Sequence, residues 1–146
     1  MITKPDIVTT IFYVDDDPDD LEMFQLVINE IGENVKLFHS GEEFMNALGG
    51  DPPLPSIIFF DLNMPVKTGY EILYDIKTSG AYKGMPRIVY STSSSATSIK
   101  KCRELGACLY IIKPSSMAAL KKAIEHVLSI DWKTFTPNDD NFVYIP

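Results

Sequence analysis

The amino-acid sequence predicts a doubly wound α/β domain, in which helices cover both faces of a parallel β-sheet. Five short segments rich in β-branched and aromatic residues each precede a segment whose apolar residues recur every three or four positions. Several of the short segments are apolar throughout, as expected for strands buried on both faces. This alternation predicts five strands and five helices.

The predicted strands are separated by segments long enough to hold a helix and its connections. They occupy residues 8–14, 34–38, 56–60, 87–91 and 108–112. The third strand, Ser-Ile-Ile-Phe-Phe, is the most apolar of the five. We therefore expect it near the centre of the sheet, where neither face is open to solvent.

Capping residues predict where the helices begin and end. Asp17 can cap the first helix, and Pro18 fits its first turn. Ser40 and Glu43 have the spacing of a capping box, and Gly49-Gly50 predicts the end of that second helix. The third helix is predicted from about residue 69 to 79. Apolar residues at helical spacing predict the fourth and fifth helices, at Ile99, Cys102 and Leu105, and at Met117, Leu120, Ile124, Val127 and Leu128.

Length and composition favour one globular domain. The chain has 146 residues, of which 45% are hydrophobic and 23% charged. Its apolar runs fall far below the roughly 20 residues of a membrane helix, and the N-terminus has no signal-peptide pattern, so we expect a cytoplasmic protein. Two cysteines are too few for a disulfide framework. A net charge of −7 opposes direct binding to nucleic acid or to an anionic membrane.

We predict a domain over residues 1–130 and a C-terminal tail over 131–146, with no separate effector domain. The tail holds four aromatic residues and a turn-like, acidic Pro-Asn-Asp-Asp segment. So many aromatic side chains favour packing on the domain, or on a second copy of it, over a solvated tail. Residues 143–145 have strand propensity and could extend a sheet edge, either of their own domain or of a second copy.

Polar residues follow four of the predicted strands at their carboxyl ends. Asp15 and Asp16 follow the first strand, Asp61 the third, and Lys113 the fifth, while Ser91 ends the fourth. In a parallel sheet these ends meet at one edge, which is where ligands bind. Three converging carboxylates repel one another unless a cation neutralises them, and Mg²⁺ prefers such oxygen ligands. We therefore predict a magnesium site.

The same residues can support phosphoryl transfer. A carboxylate can accept a phosphoryl group as an aspartyl phosphate when cations stabilise charge on the transferring oxygens. Asp61 is the predicted acceptor, because it follows the central strand and leads into a turn-like loop. Lys113 would place a positive charge on the phosphoryl group, and Ser91 would donate a hydrogen bond to it.

The motifs at these strand ends resemble those of response-regulator receiver domains, in particular single-domain regulators like those of chemotaxis. The resemblance covers about residues 8–130 and implies a flavodoxin-like sheet with strand order 2-1-3-4-5. The segments that carry it are Val14-Asp15-Asp16, Phe60-Asp61-Leu62-Asn63-Met64-Pro65 with Gly69, Ser91-Thr92 and Lys113-Pro114.

The resemblance assigns a role to each site residue. It implies that Asp15, Asp16, Asp61 and the main-chain carbonyl of Asn63 hold Mg²⁺. It also implies that Asp61 is phosphorylated.

The remaining implied roles concern the phosphoryl group and the signalling switch. Ser91 and Lys113 would contact the phosphoryl group. On phosphorylation the Ser91 hydroxyl would move toward that group, and Tyr110 would change rotamer and turn inward. Serine stands at position 91 where this family more often has threonine. The hydroxyl donor is kept, and a methyl group is lost.

The resemblance also implies the function. The protein would accept a phosphoryl group from a histidine kinase or a histidine phosphotransfer protein. It would not be an enzyme, although it would assist its own phosphorylation and dephosphorylation. Its surface formed by helix 4, strand 5 and helix 5 would then bind an unidentified downstream protein. A homodimer could form through this surface or through the tail. Onward transfer of the phosphoryl group is a further possibility.

Two alternatives belong to other functional classes. A haloacid-dehalogenase-like phosphohydrolase needs a second Asp two residues after its nucleophile, and that position holds Asn63. Asp15 and Asp17 have the required spacing, but Pro18 and Asp19 follow them, where that motif has a threonine or valine flanked by apolar residues. A receiver-like module that is never phosphorylated usually lacks an acid, the lysine or the acceptor, and none is missing here.

Overall fold

The computed structural model describes residues 9–49, 56–79 and 84–146 and has the predicted doubly wound α/β architecture. One parallel sheet has the strand order β2-β1-β3-β4-β5-β6. The predicted order 2-1-3-4-5 is confirmed, and the count of five is corrected to six. The strands are β1 (Thr10–Val14), β2 (Val35–Phe38), β3 (Ser56–Phe60), β4 (Arg87–Ser91), β5 (Leu109–Ile112) and β6 (Val143–Tyr144). Residue 8, the predicted start of β1, lies outside the described residues.

Within the described residues, five helices connect the strands, as predicted. They are α1 (Pro18–Ile31), α2 (Gly41–Ala47), α3 (Gly69–Ser79), α4 (Ala96–Glu104) and α5 (Met117–Ser129). The side chain of Asp17 caps α1 by accepting from the Asp19 amide, and Ser40 caps α2 by accepting from the Glu43 amide. In the part of the chain that the structure describes, no helix is both long and apolar enough to cross a membrane.

The sheet is buried on both faces because its strands alternate between two apolar clusters. Along β1, Ile11 and Tyr13 pack with residues of α1 and α5, whereas Phe12 and Val14 pack with residues of α2 and α3. Each of these four side chains is at most 3% exposed. Helices therefore cover both faces of the sheet.

The tail packs onto the sheet of its own chain. The indole Nε1–H of Trp132 donates to the carbonyl of Val127 at 3.2 Å, and Phe142 is 2% exposed. Val143 and Tyr144 pair in parallel with β5. Strand propensity at residues 143–145 thus identified the sixth strand, although Ile145 lies outside it. The domain boundary at residue 130 and the expected absence of an effector domain stay predictions.

Candidate functional site

Backbone hydrogen bonds between neighbouring strands bring the polar residues to one edge of the sheet. The amide of Asp61 donates to the carbonyl of Val14 at 3.0 Å, which places Asp61 directly beside the end of β1. The amide of Lys113 donates to the carbonyl of Ser91 at 2.8 Å, so β5 ends beside β4. The sheet register therefore brings the four strand ends together.

Three carboxylates form a compact acidic cluster at this edge. One oxygen each from Asp15, Asp16 and Asp61 lies within 4.8 Å of the other two. Asp15 is fully buried, Asp61 is 9% exposed, and Asp16 is open to solvent. A group of carboxylate oxygens with one solvent-facing side suits a hard cation that keeps some of its water ligands, as Mg²⁺ does. The predicted acidic grouping is therefore present in the structure.

Asn63 lies two residues beyond Asp61, in the loop that connects β3 to α3. Its side chain is exposed, so the side chain itself is directed away from the buried core. The amides of Met64 and Gly69 both donate to the carbonyl of Leu62, at 3.2 and 3.0 Å, and these bonds fold the loop back on itself. The role of the Asn63 carbonyl as a metal ligand stays a prediction.

Gly69 allows this loop to pack against the acceptor residue. A Cβ atom at position 69 would lie 2.4 Å from the carbonyl oxygen of Asp61 and 2.9 Å from the Cα of Leu62. Both are backbone atoms and cannot move aside without shifting the end of β3. Glycine is therefore required here for the close approach of two backbone segments.

Lys113 is held by two carboxylates and lies near a third. Its Nζ donates to Asp15 at 2.6 Å and to Asp20 at 2.8 Å, and it lies 3.7 Å from Asp61. Burial lowers the pKa of Lys113, but the hydrogen bonds to Asp15 and Asp20, together with the charges of Asp15 and Asp61, outweigh this effect and raise the pKa overall. The side chain is 8% exposed, so a fixed positive charge lies beside the acidic cluster.

Burial of Asp61 makes its carboxylate unusually basic. Burial raises the pKa of Asp61; the ammonium of Lys113 opposes this effect and the charge of Asp15 adds to it, giving a value of about 6. The Leu62 amide donates to one of its oxygens at 2.9 Å and favours the charged form. A weakly solvated carboxylate beside a lysine is suited to act as a nucleophile.

Tyr13 and Asp20 also belong to this site, although the motifs at the strand ends did not point to them. The hydroxyl of Tyr13 donates to Asp15 at 2.6 Å from the fully buried interior of β1. Burial, followed by the charge of Asp15, raises the pKa of Tyr13, so the hydroxyl keeps its proton. A tyrosine inside an apolar strand needs a partner for its hydroxyl, and that need could have pointed to the adjacent acid.

Asp20 carried a weaker sequence signal. It lies in the first turn of α1, four residues after Asp16 in the sequence. Acidic residues at a helix N-terminus are common, because they interact favourably with the helix dipole. Only the fold shows that Asp20 also reaches Lys113.

The two predicted switch residues are buried and connected through the loop after β4. The Ser91 hydroxyl accepts from the Ser93 amide at 3.2 Å. The hydroxyl of Tyr110 donates to the Ser93 carbonyl at 2.8 Å. Tyr110 is fully buried in this structure, so its ring already occupies the inward position that the sequence analysis expected only after phosphorylation. The switching role of both residues stays a prediction.

Comparison with known proteins identifies the family. The sequence profile of the response regulator receiver domain matches residues 11–125. The chain belongs to the receiver-domain family. A two-component response regulator of Oryza sativa subsp. japonica, ORR5, is 30% identical over 115 residues, which cover 79% of this chain and 85% of that protein. The Arabidopsis thaliana regulator ARR6 is 27% identical over 132 residues, covering 84% and 71%.

Solved receiver structures share the fold. The chemotaxis response regulator CheY4 of Vibrio cholerae superposes with a TM-score of 0.71 at 24% identity, covering 83% of this chain and 99% of that one. The phosphorylated cyanobacterial phytochrome response regulator RcpA gives a TM-score of 0.76 at 27% identity, covering 90% and 98%. This chain is therefore a flavodoxin-like receiver domain of a two-component system, a signalling domain and not a conventional enzyme.

Proposed function

We propose that this receiver domain accepts a phosphoryl group on Asp61 from a histidine kinase or a histidine phosphotransfer protein. Asp15, Asp16, Asp61 and the main-chain carbonyl of Asn63 would hold the required Mg²⁺. The observation that carries the proposal is the joint placement of three carboxylates within 4.8 Å of one another and a lysine 3.7 Å from the acceptor. No acid, lysine or acceptor is missing from the set.

The chemistry begins with an Asp61 oxygen that attacks the phosphorus atom of the donor. The new O–P bond forms as the P–N bond to the donor histidine breaks, and the electron pair returns to the imidazole nitrogen. The acidic cluster would hold Mg²⁺, which would supply positive charge to the transferring oxygens. The cluster is open to solvent at Asp16, so a phosphohistidine can approach from that side.

Lys113 supports the transfer by changing partners. Its Nζ needs to move only slightly to reach an oxygen of the phosphoryl group on Asp61, because it lies 3.7 Å from the Asp61 carboxylate. The phosphoryl oxygens add negative charge at this point and compete with Asp15 and Asp20 for the ammonium. Lys113 thereby stabilises the aspartyl phosphate.

Phosphorylation also biases the loop that follows β4. The Ser91 hydroxyl, which accepts from the Ser93 amide in this structure, moves to donate its own hydrogen to a phosphoryl oxygen, because a charged acceptor forms a strong hydrogen bond. Movement of Ser93 also shifts Tyr110, because the Tyr110 hydroxyl donates to the Ser93 carbonyl. The surface formed by α4, β5 and α5 then binds a downstream protein with changed affinity.

Phosphorylation by a small-molecule donor tests the acceptor assignment. The chain is incubated with acetyl phosphate and Mg²⁺, and its intact mass is measured. We expect addition of one phosphoryl group to the wild type and to Asp140→Asn, whose side chain is exposed in the tail, and none to Asp61→Asn. Phosphate on Asp61→Asn, or an unmodified wild type with every donor tried, would contradict the proposal.

Metal binding is tested without phosphorylation. Titration calorimetry with Mg²⁺ compares Asp16→Ala with Asp19→Ala, because both residues are exposed and lie close together before and within the first turn of α1. We expect Asp16→Ala to bind Mg²⁺ roughly tenfold or more weakly than the wild type, since it removes a carboxylate ligand. Asp19→Ala should change the affinity little. Equal midpoints for the two variants would remove Asp16 from the ligand set.

A further inference from the structure

The outer edge of β5 is covered by an extended segment of the chain itself. The amide of Tyr110 donates to the carbonyl of Phe142 at 2.8 Å, and Val143 and Tyr144 continue in parallel register with Tyr110 and Ile111. These hydrogen bonds join main-chain atoms, so they do not depend on which side chains the paired residues carry. The edge therefore accepts an extended peptide as an added strand.

One aromatic side chain anchors this segment. Phe142 is 2% exposed, and its ring centroid lies 6.4 Å from that of Tyr110. The guanidinium of Arg103, on α4, lies 5.9 Å from the same ring. A buried aromatic ring contributes a large apolar area to the binding of such a segment. The position of Phe142 is therefore a side-chain pocket on the face formed by α4, β5 and α5.

Charged and aromatic contacts on both sides of Phe142 fix its register. Three residues earlier, the carboxylate of Asp139 pairs with Arg103. Two residues later, the ring of Tyr144 stacks on His126 of α5, with centroids 4.4 Å apart and planes 12° from parallel. The segment thus contacts α4 through its acid, β5 through its backbone and α5 through its second aromatic ring.

The occupied face leaves room for exchange. The carboxylate side chain of Asp139 is 95% exposed, and Ile145 is 75% exposed, so both ends of the segment lie in solvent. An open groove of about 600 Å³ continues beside Phe142, between the tail and the Ala96 and Ile99 side of α4. A segment held by two aromatic rings, one exposed ion pair and a few backbone bonds can be displaced by a competitor that also fills this groove.

We propose that the α4–β5–α5 face is a binding site for an extended peptide segment, which residues 139–144 occupy in cis. The partner it fits is a protein segment that carries an acid three residues before a phenylalanine and then two strand-forming residues, the second of them aromatic. Use of this face for signalling rests on the proposed function. A partner binds by replacing β6, and the tail thereby sets the threshold for binding.

Peptide titration on the full chain tests the proposal. The probe is a fluorescent peptide with the sequence of residues 136–146, and anisotropy is measured with unphosphorylated protein. Phe142→Ala removes the anchor of the internal segment, and Ile145→Ala is the matched control, an exposed apolar side chain in the same tail. We expect Phe142→Ala to bind the peptide roughly tenfold or more tightly than the control and the wild type. Equal affinities would overturn the proposal.

A charge exchange provides a second test that does not disturb the core. Asp139→Arg opposes Arg103 and loosens the internal segment, so the wild-type peptide should bind this chain about two- to fivefold more tightly than the wild-type chain. A peptide carrying the Phe142→Ala change should bind none of the proteins. Binding of that peptide as tightly as the unaltered one would show that the pocket at Phe142 is not the site.

The assembly state and the phosphorylation state are measured separately. Sedimentation of the wild-type chain as a dimer that exchanges tails would overturn occupation in cis. The titration uses unphosphorylated protein, so its failure is distinct from a failure of Asp61 phosphorylation, which intact mass reports. Peptide binding by a chain that acetyl phosphate fails to label would sustain the binding site and contradict only the proposed function.

Discussion

Lys113 donates a hydrogen bond of 2.8 Å to Asp20, and this contact joins the end of β5 to the first turn of α1. Asp20 therefore competes with the acceptor Asp61 for the same ammonium, which lies 3.7 Å from Asp61. The resting position of Lys113 is set by Asp15 and Asp20 together. Because phosphorylation adds charge at Asp61, any change at Asp20 should alter how readily Lys113 follows that charge.

Asp20→Asn should accelerate phosphorylation by acetyl phosphate about two- to fivefold, the range expected from one partly exposed ion pair. Loss of one carboxylate frees Lys113 to approach Asp61. The rate is followed by intact mass at fixed Mg²⁺ concentration. Asp19→Asn, which is exposed in the same turn, should retain the wild-type rate. A slower Asp20→Asn variant would mean that Asp20 assists the transfer.

Tyr13→Phe should lower the free energy of unfolding by about 1–2 kcal/mol, because a buried donor to a carboxylate is lost. The ring itself keeps its packing, with its centroid 4.2 Å from that of Phe24. Chemical denaturation measures the change, and Tyr74→Phe, on the exposed surface of α3, should be neutral. We also expect weaker Mg²⁺ binding by calorimetry, since Asp15 loses an orienting hydrogen bond. Unchanged stability would show that the Tyr13 hydroxyl does not support Asp15.

Asp61→Asn should make the protein more stable at neutral pH and remove part of the pH dependence of stability. The pKa of Asp61 in the folded state, about 6, lies above its ordinary value of 3.8. The folded state therefore holds this proton more tightly, and stability is lost as the pH rises from about 4 through about 6.

At pH 7.5 the gain on Asp61→Asn should be about 1–2 kcal/mol, which is below the full value of the shift because the carboxylate is partly solvated. Thermal unfolding with a metal chelator present, at pH 4 and pH 7.5, measures it. Asp140→Asn is the exposed control and should show the wild-type profile. A loss of stability at pH 7.5 would indicate that the charge of Asp61 is needed by its neighbours.

Gly69→Ala should destabilise the fold by about 3 kcal/mol or more and impair phosphorylation, because the added methyl group meets backbone atoms that cannot relax. The contact at 2.4 Å is with the carbonyl oxygen of Asp61 itself. Gly84→Ala is a matched control, since a Cβ there meets nothing within 4 Å. Denaturation and acetyl phosphate labelling measure both effects. Equal stability of the two variants would refute the steric argument.

Val66→Gly should raise the free energy of unfolding by about 0.5–1 kcal/mol. The substitution relieves the strain of a β-branched residue in the left-handed region, and the greater flexibility of glycine in the unfolded chain offsets part of that gain. Val66 has a φ of 66° and is 82% exposed, so little packing is lost. Val66→Ala keeps the strained backbone and should gain less than Val66→Gly. The outcome that contradicts this explanation is an alanine variant at least as stable as the glycine variant.

Most of the architecture could be predicted because each strand and helix carries its own local signal. The capping residues Asp17 and Ser40 and the apolar run of β1 can be recognised from neighbouring residues in the sequence, without the rest of the fold. The sixth strand has only two residues, too few for a period to be recognised. Its propensity was visible, but the edge that it joins was not.

The sequence by itself determined the fold class, the strand order through the family resemblance, and the acidic grouping of Asp15, Asp16 and Asp61, because parallel strands end at a common edge. Only the tertiary structure decided that Lys113 is bound by Asp20 and that Phe142 covers Tyr110. Lys113 and Asp20 are 93 residues apart in the chain. Contacts over such separations depend on how helices and strands pack, and no local pattern of residue types encodes them.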